Sequence, residues 1–413
     1  SAIDLSWAEE HVPAILDSWY PGARGGKAVA EALFGDYAPN GKLPVTFYQG
    51  TENLPEFTDY SMAGRTYRYT DKNILYPFGY GLSYTTFDKQ IENFKDNGDT
   101  VTFDVTVENT GSVAGKDVVE IYYTAPYTNG GIEKAAANLI AFEKTDSIEP
   151  GESQTKSFTI NKEDMASYDS EGIKISGGGY ILEAGEYTIS LRSDSHTVLS
   201  EEKFTVDEDI DYSKDGRSSD KTVATNQFED YARGDFEQLS REDGFANYDK
   251  ACGVPEEDAY VMSDETRAAV EESVFGIYDG TKYNNDSDEM PAMGADNGLQ
   301  LADLTGKDYD DADWDKLLDQ LSFEDMATLI NVGGWQTAEI KSVGKIATSD
   351  CDGPAGLNNF ITKAYGTAYP SEVLMAQTWN KELANEIGVS MGQEYVDADN
   401  YGWYGPAMNI HRT

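Results

Sequence analysis

The sequence predicts a multidomain chain, with α/β segments at its two ends and an all-β segment between them. Three observations carry this reading. Residues 1–87 alternate helix and strand signals, residues 88–207 switch to short stretches of period two, and residues 299–413 return to alternating signals. Residues 208–298 are polar, acidic and poor in periodicity, and read as a linker with some structure of its own. At 413 residues, 39% of them apolar and 12% aromatic, the chain has material for sizeable cores.

The elements follow in order. Residues 1–7 read as the end of a strand and its loop. Residues 25–34 carry apolar side chains at helical spacing, and Gly35 ends that helix. Residues 41–47 read as a short strand entered through a turn. Residues 60–87 hold too many Gly and Pro for regular structure, so the first segment reads as the closing portion of an α/β domain. Residues 101–107, 118–123 and 187–191 then alternate apolar and polar, separated by turns at Asn109-Thr110-Gly111, Pro150-Gly151-Glu152 and Gly177-Gly178-Gly179. That spacing predicts an antiparallel β-sandwich of immunoglobulin or fibronectin type III kind.

In the linker, a helix is expected around residues 266–273 and a loop over 279–288. Residues 313–332 read as two helical segments, the second opened by Ser322 with Asp325 three residues later. A strand is expected at 345–348, a glycine-rich loop at 352–356, helices at 371–376 and 381–396, and a last strand near 406–410. This βα alternation predicts a parallel sheet or barrel.

Charge and composition narrow the function classes. The chain has 75 Asp and Glu against 31 Lys and Arg, a net charge of −44 that repels phosphate backbones and argues against a nucleic-acid partner. No apolar run reaches the length of a membrane span, so no membrane partner is expected. The cytoplasm is the expected compartment, with secretion left open because the chain does not begin with Met. Cys252 and Cys351 stand nearly a hundred residues apart, and His11, His196 and His411 are equally scattered. This leaves almost no material for a disulfide framework, a metal site or a Ser-His-Asp triad, so no cofactor and no metal are expected.

Several motifs carry a resemblance. Trp19-Tyr20-Pro21-Gly22-Ala23-Arg24-Gly25-Gly26-Lys27-Ala28 runs on to Pro39-Asn40-Gly41-Lys42-Leu43-Pro44. Gly64-Arg65-Thr66-Tyr67-Arg68-Tyr69 is followed by Tyr76-Pro77-Phe78-Gly79-Tyr80-Gly81. Asp352-Gly353-Pro354-Ala355-Gly356 is followed by Thr378-Trp379-Asn380 and by Gly405-Pro406-Ala407-Met408-Asn409-Ile410-His411-Arg412. These resemble glycoside hydrolase family 3, in the subset of β-glucosidases whose domain order is inverted. The resemblance implies the closing part of an α/β sandwich domain (1–87), a fibronectin type III-like domain (88–207), an acidic linker (208–298) and the opening part of a (β/α)8 catalytic barrel (299–413).

It also implies a retaining β-glucosidase acting on terminal β-D-glucosyl residues of β-glucosides or cello-oligosaccharides. Retaining hydrolysis needs a nucleophile and a proton donor, two carboxyl groups about 5 Å apart. In the resembled family the nucleophile is a late barrel Asp, which would lie beyond Thr413, and the donor is a Glu upstream of Trp19, which would precede Ser1. No catalytic residue is therefore assigned in this chain, and the chain alone is expected to be inactive. Asp352 matches the family Asp that accepts hydrogen bonds from a terminal sugar, and an ionised carboxylate suits two sugar hydroxyls. The alternative for Asp352 is a turn residue capping the next backbone. Arg412 is the second candidate substrate-binding residue, with a structural role as its alternative, and Asn358 stands where many relatives have Arg.

Trp335 is open between sugar platform and core, whereas Trp379 is expected in the core on a helical segment. Arg65 and Arg68 are expected to pair with backbone carbonyls. The expected partners are a small β-glucoside or oligosaccharide, together with either the remainder of the enzyme or a second copy. The competing reading is a non-catalytic carbohydrate-binding or assembly module.

Overall fold

The computed structural model describes residues 2–52, 54–227, 237–253, 261–275, 279–360 and 362–407. The chain divides into two compact units, one built on Ser1–Val254 and Pro370–Asn385, the other on Pro255–Tyr369 and Glu386–Ala407.

The first unit opens with helix α1 (Ser6–His11), not with the end of a strand. The Asp4 carboxylate accepts from both the backbone N–H and the hydroxyl of Ser6, which turns the chain into the helix. Helix α2 (Gly25–Phe34) ends as expected at Gly35, whose φ of 79° is left-handed and suits a residue without Cβ. The strand expected at 41–47 is reduced to β1 (Phe47–Tyr48), which pairs with β2 (Ile74–Tyr76). The backbone before it is committed elsewhere. Lys42 N–H donates to Gln377, Leu43 exchanges two hydrogen bonds with Gly79 and Tyr80, and Pro44 has no N–H to give.

The loop at 60–87, expected to lack regular structure, holds both β2 and a one-turn helix α3 (Thr66–Tyr69). Buried Arg65 organises it by donating from Nη2 to the carbonyls of Glu56 and Asp59. Arg68 instead sits over the ring of Tyr69, 5.8 Å from its centroid.

The sandwich comprises β3 (Phe87–Asp96), β4 (Thr100–Asn109), β5 (Val118–Thr124), β6 (Asn138–Lys144), β7 (Ser153–Asn161), β8 (Ser167–Asp169), β9 (Gly179–Leu182), β10 (Gly185–Asp194) and β11 (Thr197–Val206). One antiparallel sheet runs β11-β10-β5-β6 and the other β3-β4-β7, while β8 and β9 pair in a small separate sheet. The period-two pattern does what it predicts: Val101, Phe103, Val105 and Val107 of β4 point into one core with Val119, Ile121, Ile189 and Leu191.

The presumed linker is part of this unit at its start. Strand β12 (Ile210–Asp211) pairs with β9, and Arg217 lies 3.9 Å over the ring of Tyr180 while bonding Asp220. Helix α4 (Tyr248–Ala251) follows, and the Tyr248 hydroxyl donates to Asp59.

The second unit begins with α5 (Asp264–Phe275), longer than the expected helix. The two expected helical segments appear as α6 (Asp313–Leu318) and α7 (Phe323–Asn331). Ser322 and Asp325 form a reciprocal capping box at the start of α7. Strands β13 (Gln336–Thr337), β14 (Thr348–Asp352), β15 (Asn358–Asn359), β16 (Ala364–Tyr365) and β17 (Gly402–Tyr404) complete it.

β14 lies several residues beyond the expected 345–348, because Lys345 is held in a bridge with Ile340. β17 lies ahead of the expected 406–410, of which residues 408–410 fall outside the described residues. β14 and β17 pair in parallel, and the chain between them carries α8 (Glu372–Gln377) and α9 (Lys381–Asp397). No helix among the described residues is long and apolar enough to cross a membrane.

Candidate functional site

Asp352 is the last residue of β14, and its partner in the parallel ladder is Tyr404, the last residue of β17. Both side chains are exposed. Period two sets Asp350, Asp352, Gly402 and Tyr404 against Cys351 and Trp403 on alternate faces. Cys351 is buried with Leu357 and Tyr395, the latter from α9, and the Trp403 ring meets Tyr395 edge-on. Burial raises the Tyr395 hydroxyl pKa, and the Cys351 thiol and the Asp352 carboxylate add to the shift.

The loop after Asp352 is built for close backbone approach. Gly353 has φ 144°, and a Cβ there would stand 2.0 Å from the Gly356 carbonyl oxygen. A Cβ on Gly356 would meet the Thr367 carbonyl at 2.1 Å. Three bonds tie the loop down: Gly356 N–H to Gly353, Tyr369 N–H to Ala355, and Trp403 Nε1 to the Gly353 carbonyl at 3.0 Å. Asp352 Oδ1 accepts the Gly353 N–H at 3.0 Å, so the capping reading describes one of its two oxygens. What is left is a carboxylate oxygen on a rigid loop at the carboxyl end of a parallel strand, where barrel enzymes place their sites.

Trp335 stands beside this strand end. Its carbonyl accepts the Asp350 N–H at 2.8 Å, and its ring packs edge-on against Tyr404 at 5.8 Å between centroids. At 39% exposed it is no core residue, which resolves the open reading of this tryptophan toward the surface. Tyr404 was not singled out from the sequence, where the last strand was expected at 406–410, beyond it.

Trp379 is core, as expected, but not helical: its φ of 50° breaks the chain between α8 and α9. Its ring is wedged between Phe78 and Phe142, and its Nε1 donates to the Lys42 carbonyl. Asn358 is exposed on β15, opposite Tyr365. Arg412 lies outside the described residues. No group of three or more His, Cys, Asp or Glu side chains is set to hold a metal ion among the described residues.

Comparison with known proteins places these elements in context. Residues 1–84 match the glycosyl hydrolase family 3 C-terminal domain, and residues 117–195 match the fibronectin type III-like domain. Beta-glucosidase A of Butyrivibrio fibrisolvens is 31% identical over 460 residues, covering 100% of this chain and 52% of that protein. A xylan 1,4-beta-xylosidase of Xylanibacter ruminicola is 44% identical over 174 residues, covering 41% of this chain and 20% of that protein. The solved structure of a beta-glucosidase from Paenibacillus barengoltzii superimposes with a TM-score of 0.72 at 25% identity, covering 99% of this chain and 46% of that one. The chain thus spans about half the length of the full-coverage relatives it matches.

Proposed function

Because this chain belongs to glycoside hydrolase family 3, we propose that it is part of a retaining β-glucosidase, in inverted domain order, that removes terminal β-D-glucosyl residues from β-glucosides or cello-oligosaccharides. In this reading residues 299–413 contribute the first units of a (β/α)8 barrel, and β14 and β17 are its first parallel pair. Asp352 holds hydroxyls of the terminal sugar, and the Trp335–Tyr404 pair offers ring faces beside it. Arg412 is kept as a second sugar contact. The observation that carries the proposal is the setting of Asp352, an exposed carboxylate at the carboxyl end of a parallel strand on a loop that glycines hold tight.

The nucleophile and proton donor are proposed to lie outside these 413 residues, so this stretch by itself positions sugar without cleaving it. The purified chain is expected to hydrolyse neither an aryl β-glucoside nor an aryl β-xyloside above background. Turnover of either would refute the absence of both catalytic carboxylates, and which of the two is cleaved would separate glucosidase from xylosidase. Glucose binding, followed by titration calorimetry, is expected to weaken about tenfold in Asp352→Ala, the loss of a hydrogen bond to a charged group. Unchanged binding would remove Asp352 from the sugar site.

A further inference from the structure

Remote in sequence from Asp352, the first unit contains a cavity of about 550 Å³ that the reading above does not use. It lies where residues 237–247 fold back as a strap beside the sandwich. Three contacts fasten that strap. The Arg241 guanidinium lies 3.8 Å over the ring of Tyr127, Arg241 Nε donates to the Lys134 carbonyl at 2.6 Å, and the Ser240 and Tyr127 hydroxyls bond at 3.0 Å. The opposite wall is equally fixed. Asp169 is fully buried and accepts three backbone N–H groups, from Ile173, Lys174 and Ile175. Glu133 accepts from the Tyr127 hydroxyl and the Arg241 N–H. These two carboxylates are spent on building the walls and are not counted as ligand groups.

The lining that remains is mixed. Tyr69, Ile132 and Leu239 supply ring and apolar surface, Ser170 and Gln238 supply hydroxyl and amide groups, and Glu171, Glu237, Glu242 and Asp243 supply carboxylate acceptors. Neither Lys nor Arg is among the lining residues, so an anionic ligand has no counter-charge. The apolar patches are interrupted by hydrogen-bonding groups, which leaves a purely apolar ligand poorly matched. A volume inside the usual range of about 300–1,000 Å³ for small-molecule sites, a tyrosine ring and neutral or acceptor groups fit a polyhydroxylated ring with C–H faces and O–H edges. Glu171 stands at the exposed rim of this space, where partial burial and the neighbouring Asp169 carboxylate raise its pKa.

We propose that this cavity is a second, non-hydrolytic site for a neutral mono- or disaccharide, formed between the sandwich and the strap and independent of Asp352. The test uses the whole chain and cellobiose, followed by titration calorimetry and by saturation-transfer NMR. Ala246 lines the cavity and is exposed, so Ala246→Trp fills the space from its rim. Glu171→Gln is the milder variant, keeping shape and removing charge. Unfolding temperatures matching wild type show that each variant is folded.

Saturable cellobiose binding that survives Asp352→Ala and weakens at least about tenfold in Ala246→Trp is the expected result. Binding lost in Asp352→Ala but intact in Ala246→Trp and Glu171→Gln would overturn this site while leaving the Asp352 reading in place. Absence of saturable cellobiose binding in wild type, or tighter capture of spermidine than of cellobiose, would overturn it as well. If Ala246→Trp fails to fold, unchanged affinity in Glu171→Gln and in Gln238→Ala decides against the proposal.

Discussion

The β-sandwich and the second unit use similar apolar residues but cover them differently. In the sandwich, Val101, Val105 and Val107 face Val119, Ile121, Ile189 and Leu191 across two sheets, and all seven are completely buried. In the second unit the core of Leu304, Leu317, Ile340 and Val343 is small, while Phe323, Ile330 and Val396 remain exposed. Two facing sheets close a core with their own strands. A βα layer leaves one face of its strands and part of each helix for neighbours to cover.

The largest expected effect probes that contrast at its centre. Ile121→Ala is expected to cost about 2–5 kcal/mol, because no space around this site relaxes into the cavity. Ile330→Ala, at a position 82% exposed, is expected to stay within about 0.5 kcal/mol. Native-state hydrogen exchange of the β5 and α7 amides reads the two regions separately. Comparable losses at both positions would erase the distinction.

A second effect depends on pH and centres on β5 of the sandwich. Lys42, Lys89, Asp117, Glu120 and Lys144 gather about β5, with Lys89 2.9 Å and Lys42 3.3 Å from Asp117. Burial pushes the Glu120 carboxyl up to about 8, against the pull of the Tyr122 hydroxyl and of Lys89 and Lys42, with Asp117 adding to the rise. Folded Glu120 therefore keeps a proton that the unfolded chain releases near 4.5. Its contribution is full below 4.5 and is lost as pH rises through about 8.

Lys144 is opposite in sign. Burial lowers its pKa to about 7, so its contribution is full above 10.5 and is lost as pH falls through about 7. Relative to Glu120→Gln, wild type is expected to lose stability between pH 5 and 8, by up to about 1.4 kcal/mol per pH unit. Parallel curves for the two proteins in urea unfolding would show that the folded carboxyl is ionised throughout.

The smallest effect tests whether the second unit has local order of its own. Ser322 Oγ accepts the Asp325 N–H at 3.1 Å, and Asp325 returns a bond to the Ser322 N–H. Ser322→Ala is expected to cost about 1 kcal/mol and to speed exchange of the α7 amides, leaving β5 unchanged. If α7 exchange stays the same, the cap is redundant with packing.

Legibility in the sequence followed the range of the interactions. The Gly35 stop, the Ser322–Asp325 cap and the alternation through β4 were readable, because each is decided within about one turn or one strand of chain. Apart from α1, which the local Asp4–Ser6 bonds start, the misreadings below arose where a distant partner decided the outcome. Residues 41–46 are not a strand because Gln377, Gly79 and Tyr80 take their backbone bonds. Residues 210–220 are not a free linker because β9 and Tyr180 hold them. Of the candidate site, Asp352 was reached through its motif, whereas Tyr404 was not, since only strand pairing sets it opposite Asp352.

The sequence by itself determined where α2 stops and α7 starts, which positions of β4 turn inward, and that a polyanionic partner such as nucleic acid does not suit a chain of net charge −44. Only the tertiary structure decided that Trp379 is wedged between Phe78 and Phe142, that Trp335 joins Tyr404 at the end of β14, and that Glu120 is buried among lysines. Caps and periodicity are fixed by neighbours a few residues away, so composition and spacing encode them directly. Burial, pairing and proton affinity depend on groups brought together across hundreds of residues, and that meeting is settled by the free energy of the whole packed chain.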